Sequence, residues 1–108
     1  MVVPIDEVYG VYACKYPPGS EMLTLQRDGR FVQEIRINDE SPTVVTGKWE
    51  FDPRQSKVTL HGFVSTIDGF GELQPDWRKR STTATLSVEK HWTRIVIASG
   101  GDYPYVKE

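Results

Sequence analysis

The stretch "MLTLQRDGRFVQEIRI", residues 22–37, decides the fold. Leu23 and Leu25 alternate with Thr24 and Gln26, and after Asp28-Gly29 the residues Phe31, Ile35 and Ile37 share one face with Gln33. A period of two puts successive side chains on opposite faces of a strand, and Asp-Gly supplies the φ > 0 positions of a tight turn. The segment is therefore predicted to be a β-hairpin.

The same period continues on both sides. Upstream, "YGVYACKY" (9–16) reads as a first strand. Downstream, "TVVTGKWEF" (43–51) places Val45, Gly47, Trp49 and Phe51 on one face and Val44, Thr46, Lys48 and Glu50 on the other. In "DPRQSK" (52–57) Pro53 fixes φ and Asp52 can bond its own backbone, so a turn is expected there. "VTLHGFV" (58–64), "STTATLSVEK" (81–90) and "TRIVIAS" (93–99) are rich in β-branched residues, and "GGDYPYVKE" offers a short final segment in which Pro104 must lie at an edge or strand end. No window has sustained helical spacing. About eight short strands joined by short connections predict an antiparallel meander that closes into a small barrel, with an open sandwich as the alternative.

Bulk properties narrow the function classes. The 108 residues form one domain, 1–108, since splitting them would leave neither half a core. With 13 basic and 15 acidic side chains spread along the chain, no field favours nucleic acid. No apolar run reaches the length of a membrane span. "MVVPIDEVYG" lacks a basic n-region and an h-region, so periplasm or cell envelope is expected only if a leader has been removed, and cytoplasm otherwise. Cys14 is the one cysteine, which excludes an internal disulfide and reads as a small buried hydrophobe.

The order "YGVYACKYPPGSEMLTLQRDGRFVQEI" (9–35), "TGKWEFD" (46–52), "VTLHGF" (58–63) resembles small bacterial lipocalin-like proteins, many of them envelope lipoproteins. The resemblance covers roughly residues 9–63 and rests on hairpin and core signals. It implies a β-barrel. It also implies an aromatic residue near the first strand that packs across the closed end, often against an arginine of a late strand, here Tyr12 and Arg94. A C-x-x-C pair found in the copper-resistance branch is missing at Cys14-Lys15-Tyr16-Pro17, so no soft-metal role carries over.

Residues 65–80, "STIDGFGELQPDWRKR", break the pattern. Long connections in compact domains tend to be lids or binding loops, and two large aromatics have little use in a solvated linker. Phe70 and Trp77 are expected to fold back over one barrel mouth, both rings buried as a plug. Trp77-Arg78-Lys79-Arg80 reads as a solvated loop edge or as an anion site, because arginine grips carboxylates and phosphates through paired hydrogen bonds.

His61 and His91 lack the close partners of a zinc motif, and Asp68, Glu72 and Asp76 lack the calcium-loop pattern, so no metal or other cofactor is expected. No catalytic motif is present, and Glu34 and Glu50 point outward by the alternation. The domain is expected to be noncatalytic. Two readings stay open: a binder of a small apolar or anionic molecule at the mouth, using Trp49, Phe70, Trp77, Arg78 and Arg80, or an interaction or structural module of the cell envelope, using the loop or outward-facing tyrosines, Tyr9, Tyr16, Tyr103 and Tyr105.

Overall fold

The computed structural model describes residues 3–68, 70–98 and 103–108. One turn of helix, α1 (Ile5–Val8), precedes eight strands: β1 (Gly10–Tyr16), β2 (Gly19–Leu25), β3 (Arg30–Ile37), β4 (Thr43–Asp52), β5 (Lys57–Val64), β6 (Ser81–His91), β7 (Arg94–Ala98) and β8 (Tyr105–Lys107). Consecutive strands pair antiparallel in order, and β8 pairs back onto β1 through Tyr12↔Lys107 and Ala13↔Val106, closing the barrel. The helix at 5–8 has no periodic signature in the sequence, because a single turn is too short to show one. It is neither long nor apolar enough to cross a membrane, and the same holds for every helix among the described residues.

The deciding hairpin forms, and the predicted faces meet in it, Leu23↔Gln33 and Leu25↔Phe31, all four side chains buried. Its turn differs in detail. Only Gly29 takes a positive φ, 86°, the Gly29 amide donates to the Gln26 carbonyl and the Gln26 amide to Arg30. That is a four-residue connection with glycine in the left-handed position, and Asp28 instead accepts from the Arg30 amide through its side chain. At the β4–β5 turn Asp52 bonds the Arg54 amide as expected. Pro104 immediately precedes β8, where its missing N–H breaks no ladder.

Alternation fills the interior with Tyr12, Leu23, Leu25, Phe31, Ile35, Trp49, Leu60, Leu86, Val88, Ile95 and Ile97, all buried. The lower end carries the 26–29, 53–56 and 92–93 turns and is closed by α1. Val8 is fully buried there, and the Tyr12 hydroxyl donates to the Val8 carbonyl at 2.6 Å. Tyr12 thus packs across the closed end, but Arg94 stays exposed on β7. The cation on an aromatic ring at this end is Arg27, 4.5 Å above Tyr9.

Gly47 marks a close approach between strands. A Cβ there would lie 2.2 Å from the His61 carbonyl oxygen and 2.5 Å from the Phe31 ring. Gly47→Ala is therefore expected to lower stability by about 2–3 kcal/mol, the upper range for overpacking, because a strand carbonyl must move. Chemical denaturation with an unchanged slope checks this.

The β6–β7 turn stores strain. Trp92 is the first of its two turn residues, with φ of 61°, a conformation suited to glycine, and it is 97% exposed. Trp92→Gly forfeits no packing and relieves that conformation. We expect a gain of about 1 kcal/mol, read as a rise of roughly 4 °C or more in Tm. An unchanged Tm would mean the indole has a stabilising contact.

Candidate functional site

The upper end of the barrel carries the 65–80 connection, and there the wall is irregular. Pairing between β4 and β5 stops at Lys48↔His61, and β5 bulges at Gly62, whose φ is 89°. Above the bulge the Val64 backbone faces β3 from across the interior. Gln33, fully buried, bridges them: its Oε1 accepts from the Val64 amide at 3.0 Å and its Nε2 donates to the Val64 carbonyl at 2.9 Å. One side-chain amide thus takes the place of a missing strand neighbour.

Gln33 Nε2 also donates to Glu21 Oε1 at 2.8 Å. Glu21 is 3% exposed and lies on the inward face of β2, two residues before Leu23. Three hydroxyls complete its shell. Tyr105 donates to Oε1, and Tyr16 and Thr66 donate to Oε2, Thr66 at 2.8 Å. Four neutral groups thus meet the two carboxylate oxygens, and the Tyr16 and Thr66 hydroxyls also lie 2.9 Å from each other.

Burial, joined by the Glu21 charge, holds the Tyr16 and Tyr105 phenols well above the usual tyrosine range. The same two causes push the Cys14 thiol up to about 12, so at neutral pH it is no nucleophile; its Sγ contacts the Tyr103 carbonyl at 3.3 Å.

Beside this cluster lies a cavity of about 180 Å³, lined by Phe63, Ala84, Leu86, Ile97, Tyr103 and Tyr105, with Ser65 and Thr82 at its edge. The space exists because Thr82 and Ala84 are the small members of the inward row of β6 that continues to Leu86 and Val88. Ser65 and Thr82 also border an open outer groove of about 470 Å³ that includes Ile67, Asp68, Gln74 and Arg80. Cavity and groove meet at these two side chains.

The connection is ordered by its own bonds. Ile67 and Leu73 form a β-bridge, Asp68 Oδ1 accepts from the Phe70 and Glu72 amides, and the Gln74 amide donates to the Thr66 carbonyl. Trp77, at the start of a short 3₁₀ turn (Trp77–Lys79), is 3% exposed and joins the core as expected. Phe70 does not. It is 93% exposed, because the small hairpin closed by Asp68 carries it at its tip, away from the mouth.

The remaining site candidates separate as well. The Arg78 guanidinium stacks 4.3 Å over the Trp77 ring and pairs with Glu40 at 2.7 Å, and Arg80 pairs with Asp76 at 2.8 Å. Both cations are already matched, which leaves little for an anion. Trp49 sits near the opposite end, its Nε1 donating to the Gln26 carbonyl at 2.9 Å and its ring meeting Tyr9 edge-on. The five candidates therefore do not converge on one site.

Tyr16 and Tyr105 correct a further expectation. Both are buried inside the barrel, since at the mouth end their strands turn these positions inward to meet Glu21. Glu21, Thr66 and the cavity liners Phe63, Ala84 and Ile97 were not singled out from the sequence, whereas Tyr103 and Tyr105 were, as outward-facing residues. The available signal was phase: Glu21 shares the inward alternation of Leu23 and Leu25, as Gln33 shares that of Phe31 and Ile35.

His61 and His91 pair with Glu50 and Glu89 on the outer surface, and among the described residues no group of three His, Cys, Asp or Glu side chains is placed to hold a metal. Comparison with protein-family models, with curated proteins and with solved structures finds no match to this chain.

Proposed function

We propose that this domain is a noncatalytic, lipocalin-like binding barrel that takes one small, largely apolar molecule into the cavity at its mouth. The cavity beneath the 65–80 connection carries this reading. Its volume, about 180 Å³, exceeds that of engineered apolar cavities of about 150 Å³ that bind benzene, and its lining is mostly aliphatic and aromatic. A larger ligand such as a long-chain lipid would not fit, because the barrel below is filled by Leu60, Leu86 and Ile95.

Ala84→Leu tests the reading by filling the space from within. Single-ring apolar compounds should raise the Tm of the wild type and leave that of the variant unchanged. Equal shifts in both proteins would place the binding elsewhere and sink the cavity reading.

A second reading, an interaction module of the cell envelope, is favoured by one observation: Phe70 and Trp92, both almost fully exposed, stand at tips on opposite ends of the barrel. Exposed aromatics of this kind serve as interface anchors. Light scattering at high concentration, compared between wild type and the Phe70→Ser, Trp92→Gly double variant, tests the self-association form of it. A monomer in both would remove that form.

A further inference from the structure

We propose that the ligand is an organic cation: an amine or small ammonium group carried on a compact apolar body. The inference rests on the cavity reading and assigns the chemical class it would accept.

The carboxylate of Glu21 is the group that sets this class. Buried charges are normally paired with an opposite charge or a metal. Here four neutral donors surround the group, and none of the ion pairs among the described residues involves it. Hydrogen bonds satisfy its oxygens without cancelling its charge. The mouth end of the barrel interior is therefore a region of negative potential in a medium of low dielectric, where such a potential reaches further than in water.

Tyr105 couples that charge to the cavity. Its hydroxyl donates to Glu21 Oε1 while its ring lines the open space. A phenol that donates to a carboxylate has a more electron-rich ring, which strengthens the face it offers a cation. Phe63 stands edge-on to Tyr105, with centroids 6.2 Å apart, and Tyr103 adds a third ring to the lining. Three aromatic rings around a small space, backed by a carboxylate, match the chemistry that recognises ammonium groups. The same field opposes an anion, and the arginines that could have offset it, Arg78 and Arg80, are held by Glu40 and Asp76 outside the barrel.

Three probes of nearly one shape separate charge from shape: benzylamine, benzyl alcohol and benzoate, each titrated into the intact protein at neutral pH. The amide resonances of Ala84, Leu86, Ile97 and Tyr105 would be followed by NMR. Benzylamine, protonated, is expected to bind at least tenfold more tightly than benzyl alcohol, with benzoate weakest. In Glu21→Gln, which keeps the size and can still meet hydroxyls that rotate to accept, the preference should fall to under threefold while benzyl alcohol binding persists.

If benzyl alcohol binds the wild type as well as benzylamine does, the cation proposal is wrong and the cavity reading survives. A preference that persists in a folded Glu21→Gln protein overturns the cation proposal in the same way. If none of the three perturbs those amides, both fall together. The wild-type comparison alone decides the matter should the variant fail to fold.

Discussion

Gln33→Leu is expected to lower stability by about 3–5 kcal/mol, a large share of the roughly 5–15 kcal/mol available to a domain of this kind. Leucine matches the amide in bulk, so the loss is one of hydrogen bonding. It strands the Val64 amide and carbonyl, which have Gln33 as their partner across the interior, and it removes one of the four donors to Glu21. Each unsatisfied buried group costs about 1–3 kcal/mol. Denaturant titration gives the number. A loss below about 1 kcal/mol would mean that water enters the gap above Gly62 and replaces the amide, and the upper wall would then be wet.

Alkali should be the second large perturbation. The phenols of Tyr12, Tyr16 and Tyr105 are all held above their ordinary value of 10.0, first by burial, with the Glu21 charge adding for the last two. A raised folded-state value means that the unfolded chain loses its protons first. Stability is then intact below pH 10 and falls as the pH climbs above it. Each tyrosine contributes about 1.4 kcal/mol per pH unit, so one unit past 10 the three together remove about 4 kcal/mol. Cys14 acts in the same direction from a lower starting point. The phenolate absorbance of these three among the five tyrosines should rise together with the loss of far-ultraviolet β signal. Full phenolate absorbance with the β signal intact would contradict the burial assigned to them.

Much of the barrel was legible because its physics is local. Each strand announces its two faces in consecutive residues, and Asp28-Gly29 and Asp52-Pro53 mark turns through their own backbone chemistry. The site was less legible because it is assembled across the closed sheet. Glu21, Gln33, Thr66 and Tyr105 lie on four different segments, and nothing local says that their polar ends meet. Composition was misleading in the 65–80 connection. Aromatics and arginines suggested a ligand surface, yet Trp77 packs inward, Arg78 stacks on it, and Phe70 rides on a hairpin tip. The tyrosines near the termini likewise looked like surface residues until the register placed Tyr16 and Tyr105 against a buried carboxylate.

The eighth strand has only three residues, joined by two pairs to β7 and two to β1. It is the thinnest stave of the tube, and its amides should exchange with deuterium sooner than those of β2 or β3. Yet Tyr105 is at once part of that stave, a donor to Glu21 and a wall of the cavity. A molecule seated against its ring would clasp the seam shut, so occupancy should be readable as slowed exchange at residues 105–107, on the side of the barrel where the circle of strands is joined.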